Sequence, residues 1–142
     1  MLSLKGLLIM KKKMNKVELM NLLNTLKIDK NEFWVLSSGS LVLREIYEEA
    51  KDLDIAVTFK GLEQLKLNYN LKEKENGWYI VKDKVECICD GNIENLKYKP
   101  EKLNCGYFVQ NIFEYYDYLN SSTREKDIER IPLVKSYIEK LK

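Results

Sequence analysis

Phe33-Trp34-Val35-Leu36-Ser37-Ser38-Gly39-Ser40, then eleven intervening residues, then Asp52-Leu53-Asp54-Ile55-Ala56-Val57: this stretch decides how the chain folds. Its first part is an aromatic and β-branched run suited to a buried strand, and it breaks at a small polar turn. Leu43, Ile46, Tyr47 and Ala50 recur at helical spacing and predict a helix over Leu41 to Glu49. The second part is a strand again, so the organising unit is strand, glycine turn, helix, strand.

Upstream, Val17, Met20, Leu23, Leu26 and Ile28 give a first helix an apolar face. Downstream, a short helix follows Gly61, around Leu62 to Leu67. Trp78 to Val81 and Val85 to Cys89 then flank Lys82-Asp83-Lys84 as a hairpin that Asp90-Gly91 stops. The periodicity predicts a helix over Val109 to Leu119. Ser122-x-x-Glu125 fits a capping box opening a last helix, which Pro132 should kink or restart. The fold class is therefore α/β (α+β), a small mixed β-sheet flanked by helices with further helices at the C-terminus.

With 142 residues, 45% of them hydrophobic and 32% charged, and with no internal linker, the chain reads as one globular domain. The net charge of +2 is uneven. Residues 1–30 hold seven Lys against Glu18 and Asp29. This reads as a basic N-terminal arm over residues 1–15, ahead of a single domain over 16–142, with Met14 as an alternative start. The Leu7 to Met10 run is too short to span a bilayer, and Lys11-Lys12-Lys13 follows it rather than preceding it, the reverse of a secretory signal. Three cysteines, Cys87, Cys89 and Cys105, read as free thiols in a reducing compartment. The expectation is a cytoplasmic protein with no membrane partner.

Histidine is absent, which removes Ser-His-Asp triads, Cys-His dyads, HExxH zinc sites and imidazole proton shuttles. Carboxylates, Lys, Tyr, Cys and bound metal ions remain. Asp52 and Asp54, two apart on a strand, share a face about 7 Å apart. Such a pair repels unless a cation lies between, and hard oxygen donors suit Mg²⁺. Glu86 alternates with Val85 and Cys87 on a later strand, and Asp90 competes with it as a third carboxylate. On neighbouring strands three carboxylates would converge and could hold two ions about 4 Å apart, the arrangement used in phosphoryl and nucleotidyl transfer. Gly39 permits close backbone approach, and Ser40 with the amides of the following helix offers donors to a phosphate.

These residues, Val35-Leu36-Ser37-Ser38-Gly39-Ser40, Asp52-Leu53-Asp54-Ile55 and Val85-Glu86-Cys87-Ile88, resemble the nucleotidyltransferase-fold superfamily. The resemblance is to its minimal bacterial members of toxin-antitoxin and abortive-infection systems. Arg124-Glu125-Lys126-Asp127-Ile128 is similar to an Arg-x-Lys-Asp element of some small relatives, in which a basic residue lies near the nucleotide. The resemblance implies Mg²⁺-dependent transfer of a nucleotidyl group from a nucleoside triphosphate to an acceptor hydroxyl. Asp52, Asp54 and Glu86 would be the catalytic metal ligands, and Ser38, Gly39, Ser40 and Lys126 the nucleotide and phosphate contacts. The acceptor would be a protein side chain, an RNA end or a small molecule, with a partner protein or a second copy completing its site. Many relatives have a second Gly where Ser38 stands, and the departures at Glu48 and Lys51 before Asp52 favour an alternative: a non-catalytic, antitoxin-like or regulatory interaction module of the same fold. A third reading has the basic arm binding nucleic acid.

Overall fold

The centre of the sheet is formed by residues that can be buried on both sides, which is what a strand covered on both faces requires. β1 (Phe33–Val35) is buried throughout, and β2 (Leu53–Thr58) is buried at every position except Asp54. In the computed structural model, which describes residues 13–91 and 93–142, the order along the chain is α1 (Lys16–Thr25), β1, α2 (Ser37–Leu43), β2, α3 (Phe59–Asn68), β3 (Lys72–Glu73) and β4 (Trp78–Lys82). β5 (Val85–Gly91), β6 (Glu101–Lys102), β7 (Phe108–Val109), α4 (Ile112–Ser121) and α5 (Glu125–Lys140) complete it. The strands form one mixed seven-stranded sheet in the order β3-β4-β5-β2-β1-β7-β6. β1 runs antiparallel to β2 and parallel to β7, while β2 runs parallel to β5. The mixed α/β class read from the sequence is the architecture observed.

The main core gathers Leu19 and Leu23 of α1, Val35, Ile55, Val57, Leu65 of α3 and Cys87. A second cluster joins Leu41 of α2 to Ile112, Tyr115, Leu119 and Val134 of the two C-terminal helices. Leu53, Ile55 and Val57 alternate toward the main core, so Asp54, at the opposite parity, is turned to the other side. Among the described residues no helix is long and apolar enough to cross a membrane.

Several element boundaries differ from expectation. The helix expected over Leu41 to Glu49 is α2, beginning at Ser37 and ending at Leu43. Glu45 adopts φ 64°, and the amides of Glu45 and Ile46 reach back to the Val42 and Leu41 carbonyls, which closes the helix early. The helix expected from Val109 starts at Ile112, because Phe108 and Val109 pair with β1 and β6 and Asn111 caps the helix. The Ser122 capping box does not form: the N-cap of α5 is Arg124, and the Ser122 hydroxyl donates to Asp127 at 2.7 Å. Pro132 lies inside α5, which runs on to Lys140.

The predicted arm over residues 1–15 lies outside the described residues up to position 12. Its last residues belong to the fold. Met14 is buried and forms a two-way bridge with Ala50, at 2.7 and 2.9 Å, and Asn15 exchanges side-chain and backbone hydrogen bonds with Glu18 to cap α1.

Candidate functional site

The parallel pairing of β2 with β5 sets Asp54 directly beside Glu86. Asp52 precedes β2 by one residue, so three predicted carboxylates reach one region of the sheet. Asp90 is four residues further along β5, about 13 Å away at the strand rise, and it is exposed at the end of that strand. Glu86 is therefore the neighbour of Asp54. The strand expected to stop at Asp90 also continues to Gly91.

Burial pushes the Asp54 carboxyl up to about 6, and the charges of Glu86 and Asp52 add to that, while Lys74 and Lys126 oppose it. Such a group gains from any further positive charge. Glu86 already has one: Lys74 Nζ, from the connection between β3 and β4, lies 2.8 Å from Glu86 Oε1. Among the described residues no three His, Cys, Asp or Glu side chains are gathered closely enough to hold a metal ion as they stand. Asp52, Asp54 and Glu86 carry hard oxygen donors, and Lys74 holds one of the three.

Asp52 and Asp54 line a cavity of about 320 Å³. Its other walls include Ser37 and Ser38 from the start of α2, Lys13, Lys51, and Arg124, Lys126 and Arg130 from the beginning of α5. Lys126 and Ser38, the nucleotide contacts that the resemblance implies, thus line one cavity with Asp52 and Asp54. Arg130, Lys13 and Ser37 line the same cavity and were not foreseen; Arg130 lies on the helix face of Lys126, one turn on, which a helical reading of this segment could have supplied.

Gly39 and Ser40 are placed elsewhere. Both are buried, and a Cβ on Gly39 would stand 2.8 Å from Val35 Cγ1, so this glycine lets α2 pack onto β1. The Ser40 hydroxyl turns inward and donates to the Ser37 carbonyl at 2.6 Å. Expected as phosphate contacts, the two are instead buried within the first residues of α2. Ser37 takes the left-handed conformation at φ 50°, and its amide donates to the Gln110 side-chain oxygen at 3.1 Å. The outward-facing residues of the turn are therefore Ser37 and Ser38.

The basic wall is organised by Asp127, whose side chain is fully buried. Its Oδ2 accepts from Arg124 Nε at 2.8 Å, from the Ser122 hydroxyl at 2.7 Å and from the Tyr118 hydroxyl at 3.3 Å. Hydrogen bonds from Arg124, outweighing burial, hold the Asp127 carboxyl down at about 2. Arg130 donates to the Tyr115 hydroxyl at 2.8 Å and lies over the Tyr47 ring. Both guanidiniums are fixed at the cavity by partners on α4 and α5. No protein-family model, no curated protein and no solved structure matches the chain.

Proposed function

We propose that the chain is a nucleotidyltransferase-like protein that binds a nucleoside triphosphate with a divalent cation and transfers the nucleotidyl group to an acceptor hydroxyl. One observation carries the reading: Asp54 and Glu86 stand in register on adjacent parallel strands, and Asp54 with Asp52 lines a cavity that Arg124, Lys126 and Arg130 also line. Carboxylates and cations lining one cavity suit a ligand that is both metal-bound and polyanionic. Asp52, Asp54 and Glu86 would hold the cation, which when bound would supply charge neutralisation of the phosphates.

In this reading Lys126 and the two arginines bind and orient the triphosphate, and the Ser37 and Ser38 side chains lie at its edge. The acceptor oxygen forms a bond to the α-phosphorus as the bond to pyrophosphate breaks. The proton released from the acceptor goes to a carboxylate, because the chain has no histidine. Glu86 is engaged by Lys74, whereas the Asp54 carboxyl is raised to about 6.

A second reading keeps the fold without the chemistry, as an antitoxin-like or regulatory module acting on a protein partner or a second copy. The Lys74–Glu86 pair and the inward-turned Ser40 favour it, since both are tied up within the chain. Calorimetric titration of ATP, GTP, CTP and UTP with and without Mg²⁺ separates the two. Mg²⁺-dependent binding that disappears in a folded Asp52→Asn, Asp54→Asn double variant supports the transferase reading. No binding of any nucleotide supports the module.

A further inference from the structure

Lys74 stands at the carboxylate cluster although the motif reading did not contain it, and its position is built into the backbone. It follows the edge strand β3, its amide donates to the Trp78 carbonyl at 2.7 Å, and the turn after it passes through two left-handed residues, Asn76 at φ 62° and Gly77 at φ 84°. From there the side chain reaches over β4 to β5, where Nζ meets Glu86 Oε1 at 2.8 Å. The ammonium is coupled electrostatically to Asp54 and Asp52 as well as to Glu86. An ordinary surface ion pair joins two charges; this one places a single cation against the carboxylate that stands in register with Asp54.

We infer that Lys74 is a tethered cation that holds Glu86 in the place of a divalent ion, and that a metal must displace it to gain Glu86 as a ligand. The inference rests on the reading of Asp52, Asp54 and Glu86 as a divalent-cation site. Exposed pairs of this kind are weak, so displacement is reversible and inexpensive. The released ammonium, whose charge acts on Asp54 and Asp52 as well as on Glu86, stays beside the carboxylates. A metal ion arriving alone must leave that charge without a partner, whereas a metal ion arriving with a polyphosphate brings the partner along. The site is thereby selective for the metal–nucleotide unit over either component, and Lys74 is a specificity-determining residue rather than a catalytic one.

Mn²⁺ binding, followed by electron paramagnetic resonance on the full chain without nucleotide, tests this in wild type, Lys74→Met, Lys74→Arg and Asp54→Asn proteins, each checked for a cooperative thermal melt. Removing one nearby positive charge and its ion pair should tighten Mn²⁺ binding about three- to tenfold in Lys74→Met and leave it near wild type in Lys74→Arg. The enhancement of Mn²⁺ affinity by added ATP should shrink in Lys74→Met, since the same residue links the two ligands. Mn²⁺ affinity unchanged or weakened in Lys74→Met, with binding still lost in Asp54→Asn, overturns the tethered-cation inference and leaves the metal site standing. Mn²⁺ binding that is absent throughout, or insensitive to Asp54→Asn, overturns both.

Discussion

Two aspartates of this chain meet opposite fates. Asp127, in the corner between α4 and α5, is fully buried and its carboxyl is held at about 2. Asp54, on β2, is less buried and its carboxyl is pushed up to about 6. The difference lies in the donors. Asp127 receives hydrogen bonds from Arg124, Ser122 and Tyr118, while Asp54 has the Glu86 carboxylate across a strand pair and that of Asp52 two residues before it. A buried carboxylate surrounded by donors is a structural part, and one surrounded by its own kind is a part awaiting a counter-charge.

The largest effect should come from breaking the satisfied member. Asp127→Ala removes the acceptor for three side chains and leaves Arg130 facing a vacancy, and should cost about 2–3 kcal/mol in urea unfolding, discounted because Arg124 is half exposed. Next, Asp54→Asn should stabilise the ligand-free chain at pH 7 by about 1–2 kcal/mol, because it relieves a partly buried carboxylate that repels its neighbours. The sign in pH follows from the direction of each shift. The Asp54 carboxyl is raised above its unfolded value of 3.8, so its stabilising contribution is whole below that pH and is lost as pH rises through about 6. Asp127 behaves in the opposite sense, contributing above 3.8 and losing that contribution as pH falls through about 2.

Thermal melts between pH 4 and 7 should therefore show a decline in wild type that is flatter in Asp54→Asn. Mg²⁺ at ten times its dissociation constant should recover about 1.4 kcal/mol of that loss in wild type and none in the variant. The smallest effect should be Ser122→Ala, which takes one of several donors from Asp127 and should cost about 1 kcal/mol in urea unfolding. Equal pH profiles for wild type and Asp54→Asn would erase the contrast between the two aspartates.

The strand–turn–helix–strand unit and the hairpin were legible because alternation and helical spacing act locally. Asp52, Asp54 and Glu86 were legible for the same reason, since alternation sets the face each carboxylate takes on its own strand. That Asp54 and Glu86 are neighbours is a matter of sheet register, which alternation leaves open. The short strands β6 and β7 were not legible: two residues carry no periodicity, and β7 exists because β1 offers it an edge. The end of α2 was missed because Glu45 takes a left-handed conformation that its residue type does not advertise. Gly39 and Ser40 drew attention as residues that serve ligands. The same smallness that admits a phosphate also admits Val35, and packing claimed them. Lys74 was invisible because its partner is on a strand two places away in the sheet.

β1 has one further consequence, for how the chain comes to exist. One of its edges is closed by β2, soon after it in sequence, but the other waits for β7, and the Ser37 amide waits for Gln110, 73 residues away. On the ribosome the carboxylates of β2 and β5 are therefore made, and can pair, well before the turn opposite them is fixed. Contacts so distant in sequence are slow to form, and a chain ended before Tyr107 would display the unpaired edge of β1 to other chains. The cavity is thus among the last features of the molecule to be completed, and no N-terminal fragment carries it.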